Sequence, residues 1–306
     1  MPKTKISTIT IKNFRSNMIV VKLKGGLGNQ MFQHAFGKAL ETCLNYKVFY
    51  DRSWFYQNFA GTTPRKFELD EFDLSLQYIK YKKPIFKGKI GRLIKFLKQA
   101  ISLEPKYIKV NEETFVLDQI KDKNNYYFEG YWQNPQYFEG IRETILKDFS
   151  FPELKNPEDA DLHDQIATCE SVAVHIRRGD YINNPATNQY HGTCSIEYYK
   201  KAAEYIVSKI PNAKFFLFTD DPDFVKNNFG FLSNATVVSN STRSDIDEMN
   251  LMHLCKHFII ANSSFSWWGA WLSQNTEKIV VAPKQWYKNQ DANERCKIVP
   301  DNWVRL

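Results

Sequence analysis

Cysteine is scarce and unpatterned, five residues in a chain of 306, an odd number without paired spacing. This excludes a disulfide-stapled secreted scaffold and points to free thiols in a reducing compartment. Apolar runs long enough to span a bilayer are missing as well. Residues 1–17 are polar and basic, without the apolar centre of a secretory signal. The expectation is therefore a cytoplasmic protein of bacterial type, in which the sequons at Asn234, Asn240 and Asn262 are chance matches. Internal repeats and low-complexity tracts are absent, which sets aside solenoids and disordered chains. No metal-ligand set stands out either. His253 and His257 lie one turn apart, but the zinc-protease pattern needs Glu at 254 and the chain has Leu.

What is present is enough apolar sequence, 43% of 306 residues, for two core-forming domains. Strand and helix patterns alternate through the chain, which predicts an α/β class. The segment 151–159 carries two prolines and dense charge, and the expected division is a first domain over 1–160 and a second over 161–306.

The most informative stretch is Ser171-Val-Ala-Val-His-Ile-Arg-Arg-Gly-Asp-Tyr181, an apolar strand running into two arginines. Open α/β sheets collect ligands at the carboxyl ends of their strands, and guanidinium groups there suit an anion such as phosphate. Alternation along the strand puts Arg177 on the face of His175 and Arg178 on the other. One arginine can thus face a ligand while the other braces the loop, for instance by pairing with Asp180.

A second strand-to-helix unit lies near the amino end. Met18-Ile-Val-Val-Lys-Leu-Lys24 reads as a strand, Gly25-Gly26-Leu27-Gly28-Asn29-Gln30 as a tight turn, and apolar residues then recur at helical spacing from Met31 to Leu44. With Asp51 ending the next strand, this approaches a dinucleotide-binding fingerprint. Met31, however, occupies the place of the third glycine, where close helix packing needs no side chain. Asn29 and Gln30 instead offer two amides at the helix start, suited to hydroxyl-rich ligands, although Asn29 fits the helix cap equally well.

Further on, Ala213-Lys-Phe-Phe-Leu-Phe218 leads into Thr219-Asp220-Asp221-Pro222. Carboxylates at this strand end can accept from a base edge or a ribose, or can cap the following helix. The last constellation is Phe258-Ile-Ile-Ala-Asn-Ser-Ser-Phe-Ser-Trp-Trp-Gly-Ala-Trp-Leu272, in which Ser263, Ser264 and Ser266 stand at a helix start suited to phosphate. Trp267 and Trp271, four apart, read as a buried stripe. In Glu129-Gly-Tyr-Trp-Gln-Asn-Pro-Gln-Tyr-Phe138, the aromatics read as core or as the lining of an acceptor groove.

Together, Gly-Gly-Leu-Gly-Asn-Gln-Met-Phe-Gln, His-Ile-Arg-Arg-Gly-Asp-Tyr, Phe-Thr-Asp-Asp-Pro and Asn-Ser-Ser-Phe-Ser-Trp-Trp-Gly-Ala, spread in this order over residues 21–272, resemble the bacterial α-1,2-fucosyltransferases of glycosyltransferase family 11. The resemblance implies a GT-B fold, two Rossmann-like domains facing a cleft, with the acceptor on the first and GDP-fucose on the second. It implies inverting transfer of L-fucose to the 2-hydroxyl of a galactose-type acceptor, in O-antigen or other surface-glycan synthesis, without a required metal. By position, Arg177 would be the principal donor to the β-phosphate, assisted or braced by Arg178. His175 and Asp221 would contact guanosine, and Ser263, Ser264 and Ser266 the pyrophosphate. Asn29, in the turn with Gly26, Gly28 and Gln30, would lie near the fucose and the acceptor hydroxyl. No residue stands out as the general base, although Asp51 and Asp73 are carboxylates to consider.

Residues 80–103 hold eight basic side chains and no acidic one, against a net charge of +7 for the whole chain. Ile90, Leu93, Ile94, Leu97 and Ile101 form an apolar stripe opposite Lys89, Arg92, Lys95 and Lys98. That pattern fits either a core-packed helix or one docked on an anionic inner membrane, where lipid-linked acceptors would be met. Two other classes stay open. A nucleic-acid binder would use the same basic segment, but no binding motif accompanies it. A nucleotide-dependent oxidoreductase would use the glycine turn and Asp51, but fails at Met31 and leaves both arginines without a role.

Overall fold

The computed structural model describes residues 18–57, 64–79, 107–111, 120, 125–154, 156–179, 182 and 185–306. The basic segment 80–103, residues 1–17 and Asp180 lie outside the described residues. The chain divides into two compact units, Met1–Phe149 and Ser150–Leu306.

In the first unit, β1 (Met18–Lys22), α1 (Leu27–Leu44), β2 (Lys47–Asp51), β3 (Tyr107–Asn111), β4 (Asn125–Glu129) and α2 (Arg142–Asp148) follow in order. The strands form a sheet in the order β2-β1-β4-β3, and every neighbouring pair is parallel. β1 is apolar because it is central, and its first four residues are buried. The predicted stripe of α1 is buried from Met31 to Leu40. Its last turn emerges, with Cys43 exposed, and Asn45 ends the helix in the left-handed conformation at φ 55°.

The second unit comprises α3 (Pro157–Ala167), β5 (Glu170–Ile176), α4 (Pro185–His191), α5 (Ile196–Lys209), β6 (Ala213–Thr219), α6 (Pro222–Asn228), β7 (Ala235–Val237), α7 (Asp245–Leu254), β8 (His257–Ile259), α8 (Ser264–Leu272), β9 (Val280–Ala282), α9 (Gln290–Glu294) and β10 (Val304–Arg305). Its sheet, again parallel at every pairing, has the order β10-β9-β8-β5-β6-β7. Val172, Val174 and Ile176 of β5 join Tyr198, Tyr199, Ala202 and Ile206 of α5 in one core cluster. The alternate residues Ala173 and His175 face the other side.

The division falls at Phe149, earlier than the expected boundary at 160. Phe149 is buried against His34 and Phe72 of the first unit. α3 belongs to the second, where Asp159 in its first turn pairs with the buried Arg243. The tryptophans of α8 are core, as expected. Trp267 is fully buried, donates through Nε1 to Ile298 O at 2.7 Å and stacks on Trp271 at 6.0 Å.

Candidate functional site

β5 meets β6 on one side and β8 on the other, so the chain switches direction across the sheet at this strand, and the crevice at its carboxyl end is where such sheets bind ligands. The register pairs Ile176 with Thr219, which brings the next residues, Arg177 and Asp220, side by side. Arg177 Nη1 lies 3.0 Å from Asp220 Oδ2. Arg178 turns to the opposite face, as alternation requires. Its Nε donates to Asp221 Oδ2 at 3.2 Å, and its guanidinium lies 3.4 Å over the ring of Phe224 in α6. Its backbone N–H donates to Asp220 Oδ1 at 2.8 Å. Gly179 is required beside this knot, because a Cβ there would come within 2.8 Å of Asp220 Oδ2.

On the face of Arg177, His175 is 5% exposed and its ring lies 5.7 Å from that of Phe265 at the start of α8. Burial first, and then the Arg177 charge, push its pKa down to about 3, against a smaller opposing pull from Asp220. The imidazole is neutral at any working pH, and its buried Nδ1 has no hydrogen-bond partner among the described residues. A buried polar atom left this way is costly unless a ligand meets it.

The serines divide their roles. Ser263 is the N-cap of α8, its Oγ accepting from Phe265 N at 3.3 Å. Ser266 is fully buried and donates back to Ser263 O at 3.3 Å. Both hydroxyls therefore serve the helix, and of the three expected pyrophosphate contacts only Ser264 is a partly exposed residue. Asp221 is likewise engaged, capping α6 through Oδ1 to Phe224 N at 3.1 Å while its other oxygen holds Arg178. The expected guanosine contact is, in this structure, a cap and an ion-pair partner.

A carboxyl that motif reading passes over stands at the same edge. Glu248 of α7 hydrogen-bonds Ser239, whose Oγ accepts from Thr219 N at the end of β6. Burial, with the nearby charges of Asp245 and Asp220, raises its pKa to about 7, while Ser239 and Arg243 oppose the rise. Glu248 lies in a stretch without a motif, and its weight comes only from packing against the sheet edge. Cys194 and Asn262 also meet there, Asn262 donating to His191 O, Gly192 O and Trp286 O.

The carboxyl edge of the first sheet repeats the plan, since β1 lies between β2 and β4. Gly25 takes φ +83° in the turn after β1, and Gly26 caps α1 without a side-chain bond. Asn29 is therefore inside the first turn of the helix, not at its cap. Gln30 is fully buried, donating to Gly25 O at 3.0 Å and Lys66 O at 2.8 Å and accepting from Glu68 N at 2.9 Å. With all these positions filled by main chain, it braces the loop instead of facing a ligand. Gln33 does the same between Lys24 N and Gly130 O. Gly28 is buried, while Gly26 and Asn29 keep partial exposure. Asn29 Oδ1 accepts from Gln133 Nε2 at 2.7 Å. Asp51 is closed off, accepting from Tyr127 Oη at 2.7 Å and Ser53 N at 2.8 Å, which removes it as a free base. Asp73 is exposed. In the 129–138 stretch Trp132 and Phe138 are core, and Tyr131 is 41% exposed beneath Lys24 Nζ at 4.3 Å.

Among the described residues no three His, Cys, Asp or Glu side chains gather as metal ligands would. His257 accepts from Ile279 N at 3.1 Å, and His253 packs on Phe151 at 4.6 Å. No described helix is long and apolar enough to cross a membrane.

A model of glycosyl transferase family 11 matches residues 76–306. An Escherichia coli α-1,2-colitosyltransferase is 34% identical over 303 residues, covering 95% of this chain and 99% of the relative. The Escherichia coli O-antigen biosynthesis glycosyltransferase WbnK is 35% identical over 310 residues, with 93% and 99% covered. Among solved structures, the α-1,6-fucosyltransferase NodZ, known from Bradyrhizobium, superposes in its crystal with GDP at a TM-score of 0.50, with 13% identity and 84% and 92% coverage. The fold is of GT-B class, two Rossmann-like α/β units.

Proposed function

The chain belongs to glycosyl transferase family 11, and from that premise we propose that it transfers L-fucose from GDP-fucose to the 2-hydroxyl of a galactose-type unit in O-antigen synthesis. The observation that carries the donor reading is one face at the carboxyl end of β5, which holds Arg177, the unpartnered Nδ1 of His175 and the amino end of α8. A diphosphate suits Arg177 and the α8 amides with Ser264, and the nucleobase edge suits His175 and Glu248.

The chemistry follows from charge. As the sugar–oxygen bond breaks, negative charge grows on the β-phosphate while the anomeric carbon becomes cation-like. Donors fixed at the phosphate lower that barrier. Arg177 is held in place by Asp220 before any ligand arrives, so little reorganisation remains. In this reading arginine and helix amides supply what a metal would, and Asn29, whose amide is not basic, orients a substrate and takes no proton. The acceptor belongs to the first unit in this proposal, the basic segment 80–103 docks loosely on anionic membrane, and a lipid-linked acceptor fits that location.

The test is calorimetric titration of GDP and GDP-fucose, with EDTA present, into the wild-type protein and Arg177→Ala, followed by transfer to lactose and analysis of the linkage. Micromolar binding that the substitution removes, with an α-1,2 product, supports the reading. Absence of binding in folded protein overturns it. The colitosyltransferase relative makes a GDP-linked colitose donor the required comparison, and preference for it would correct the sugar while keeping the site.

A further inference from the structure

The orientation of one side-chain amide in the first unit is fixed by another. Asn29 Oδ1 accepts from Gln133 Nε2 at 2.7 Å. The other end of the Asn29 carboxamide, Nδ2, then points towards the glycine turn after β1. It stands where a Cβ on Gly25 would be only 2.7 Å away, and it has no hydrogen-bond partner among the described residues. Asn29 is partly exposed at the crevice where β1 passes between β2 and β4. A donor is thus presented at that edge, and the acceptor oxygen is turned inwards.

Gln133 is aimed by an uncommon backbone. Trp132, immediately before it, takes φ +57°, a region that bulky residues rarely occupy. Its ring is fully buried and stacks on Phe36 of α1 at 4.1 Å and 5° between planes, while Asn134 N donates to Trp132 O at 2.9 Å. The ring stack and this hydrogen bond hold a conformation that tryptophan rarely adopts, and such strained positions cluster at functional sites. It turns the chain after β4 back towards α1, where the Gln133 amide reaches Asn29.

We propose that Gln133 is a positioning residue for Asn29, holding the carboxamide so that Asn29 donates a hydrogen bond through Nδ2 to a substrate oxygen during transfer. This rests on the function proposed above. The polarity matters because a reversed amide would offer a lone pair to a hydroxyl proton, whereas the observed one offers a proton to a hydroxyl, ring or glycosidic oxygen.

Gln133→Glu tests it. A carboxylate can only accept, so it would draw Asn29 Nδ2 inwards and turn Oδ1 out, in a side chain of unchanged size. The expected result is a fall in kcat of about 10- to 100-fold, the range that misplacement of a positioned group produces. GDP affinity and KM for the nucleotide sugar should stay at their wild-type values. Gln133→Met, which removes the donor without adding charge, should lose activity in the same direction by less, and it carries the test should the glutamate variant not fold. In an Asn29→Ala background, Gln133→Glu should cost nothing more. Wild-type kcat in a folded Gln133→Glu or Gln133→Met protein would overturn the proposal, as would losses that multiply in the double variant. A wild-type chain that transfers no GDP-linked sugar would instead overturn the proposed function, and this inference with it.

Discussion

Replacing Glu248 with glutamine should change how stability depends on pH, and both sign and size follow from its surroundings. Burial and the charges of Asp245 and Asp220 raise its pKa from 4.5 to about 7. Below pH 4.5 the carboxyl is protonated in the folded and the unfolded chain, and the raised value costs nothing. As pH rises from there to 7, the unfolded chain releases the proton and the folded one retains it, so stability falls throughout this window. Above pH 7 the folded state carries the whole penalty, at most about 3 kcal/mol with each pKa step worth about 1.4 kcal/mol.

The Glu248→Gln side chain has no such titration and keeps the hydrogen-bonding capacity towards Ser239. The variant should match the wild type near pH 4.5 and exceed it by up to about 3 kcal/mol at pH 8. Urea unfolding of both proteins from pH 4.5 to 8.5, followed by tryptophan fluorescence, isolates the contribution. His175 and His253, held down to about 3 and about 4 mainly by burial, titrate in both proteins and cancel in the difference. A stability difference that stays flat across the window, or a variant less stable than wild type at pH 8, would refute the argument that the carboxyl is penalised by burial.

Other perturbations separate binding from folding. Arg177→Ala should lower turnover by about 10²- to 10³-fold, as loss of a preorganised donor does, while the unfolding midpoint moves little; steady-state kinetics beside urea unfolding reads both. Asp159→Ala leaves the buried guanidinium of Arg243 without its carboxylate, and urea unfolding should register a loss of about 3–5 kcal/mol. Gly25→Ala imposes a Cβ on a left-handed residue and against Asn29 Nδ2. It should cost about 1–2 kcal/mol of stability and lower kcat, with calorimetric GDP affinity unchanged.

Much of this was legible from periodicity. The strand, turn and helix over 18–44, the strand running into Arg177, and the opposite facing of Arg177 and Arg178 follow from apolar spacing and from the period of two along a strand. The partner of Arg178 was not legible, because Asp221 follows the neighbouring strand and only the β5–β6 register brings it there. Gln30 reads from sequence as ligand-facing, yet it is fully buried, as is Gln33, since loops that must leave the sheet edge need donors and acceptors for their main chain. Glu248 carries no motif, because its pKa is raised mainly by burial that only the tertiary fold creates, with Asp245 of its own helix and Asp220 after β6 adding to it.

The adjacency of Asp220 and Asp221 acquires a reason from the same register. Two consecutive residues at a strand end point to opposite faces, as do Arg177 and Arg178 one strand away. In a parallel pair the two sets come level, so each arginine finds a carboxylate on its own face. Arg178 is secured through its main chain, its guanidinium and a ring beneath it, which suits a brace. Arg177 is held through Nη1, on the face where His175 and α8 also lie. A guanidinium whose direction is set in advance acts on an arriving phosphate as an oriented fork, and the neighbouring carboxylate balances part of its positive charge. The Asp-Asp pair thereby contributes to the arginine site through position, and a spaced pair would leave one arginine without a carboxylate on its face.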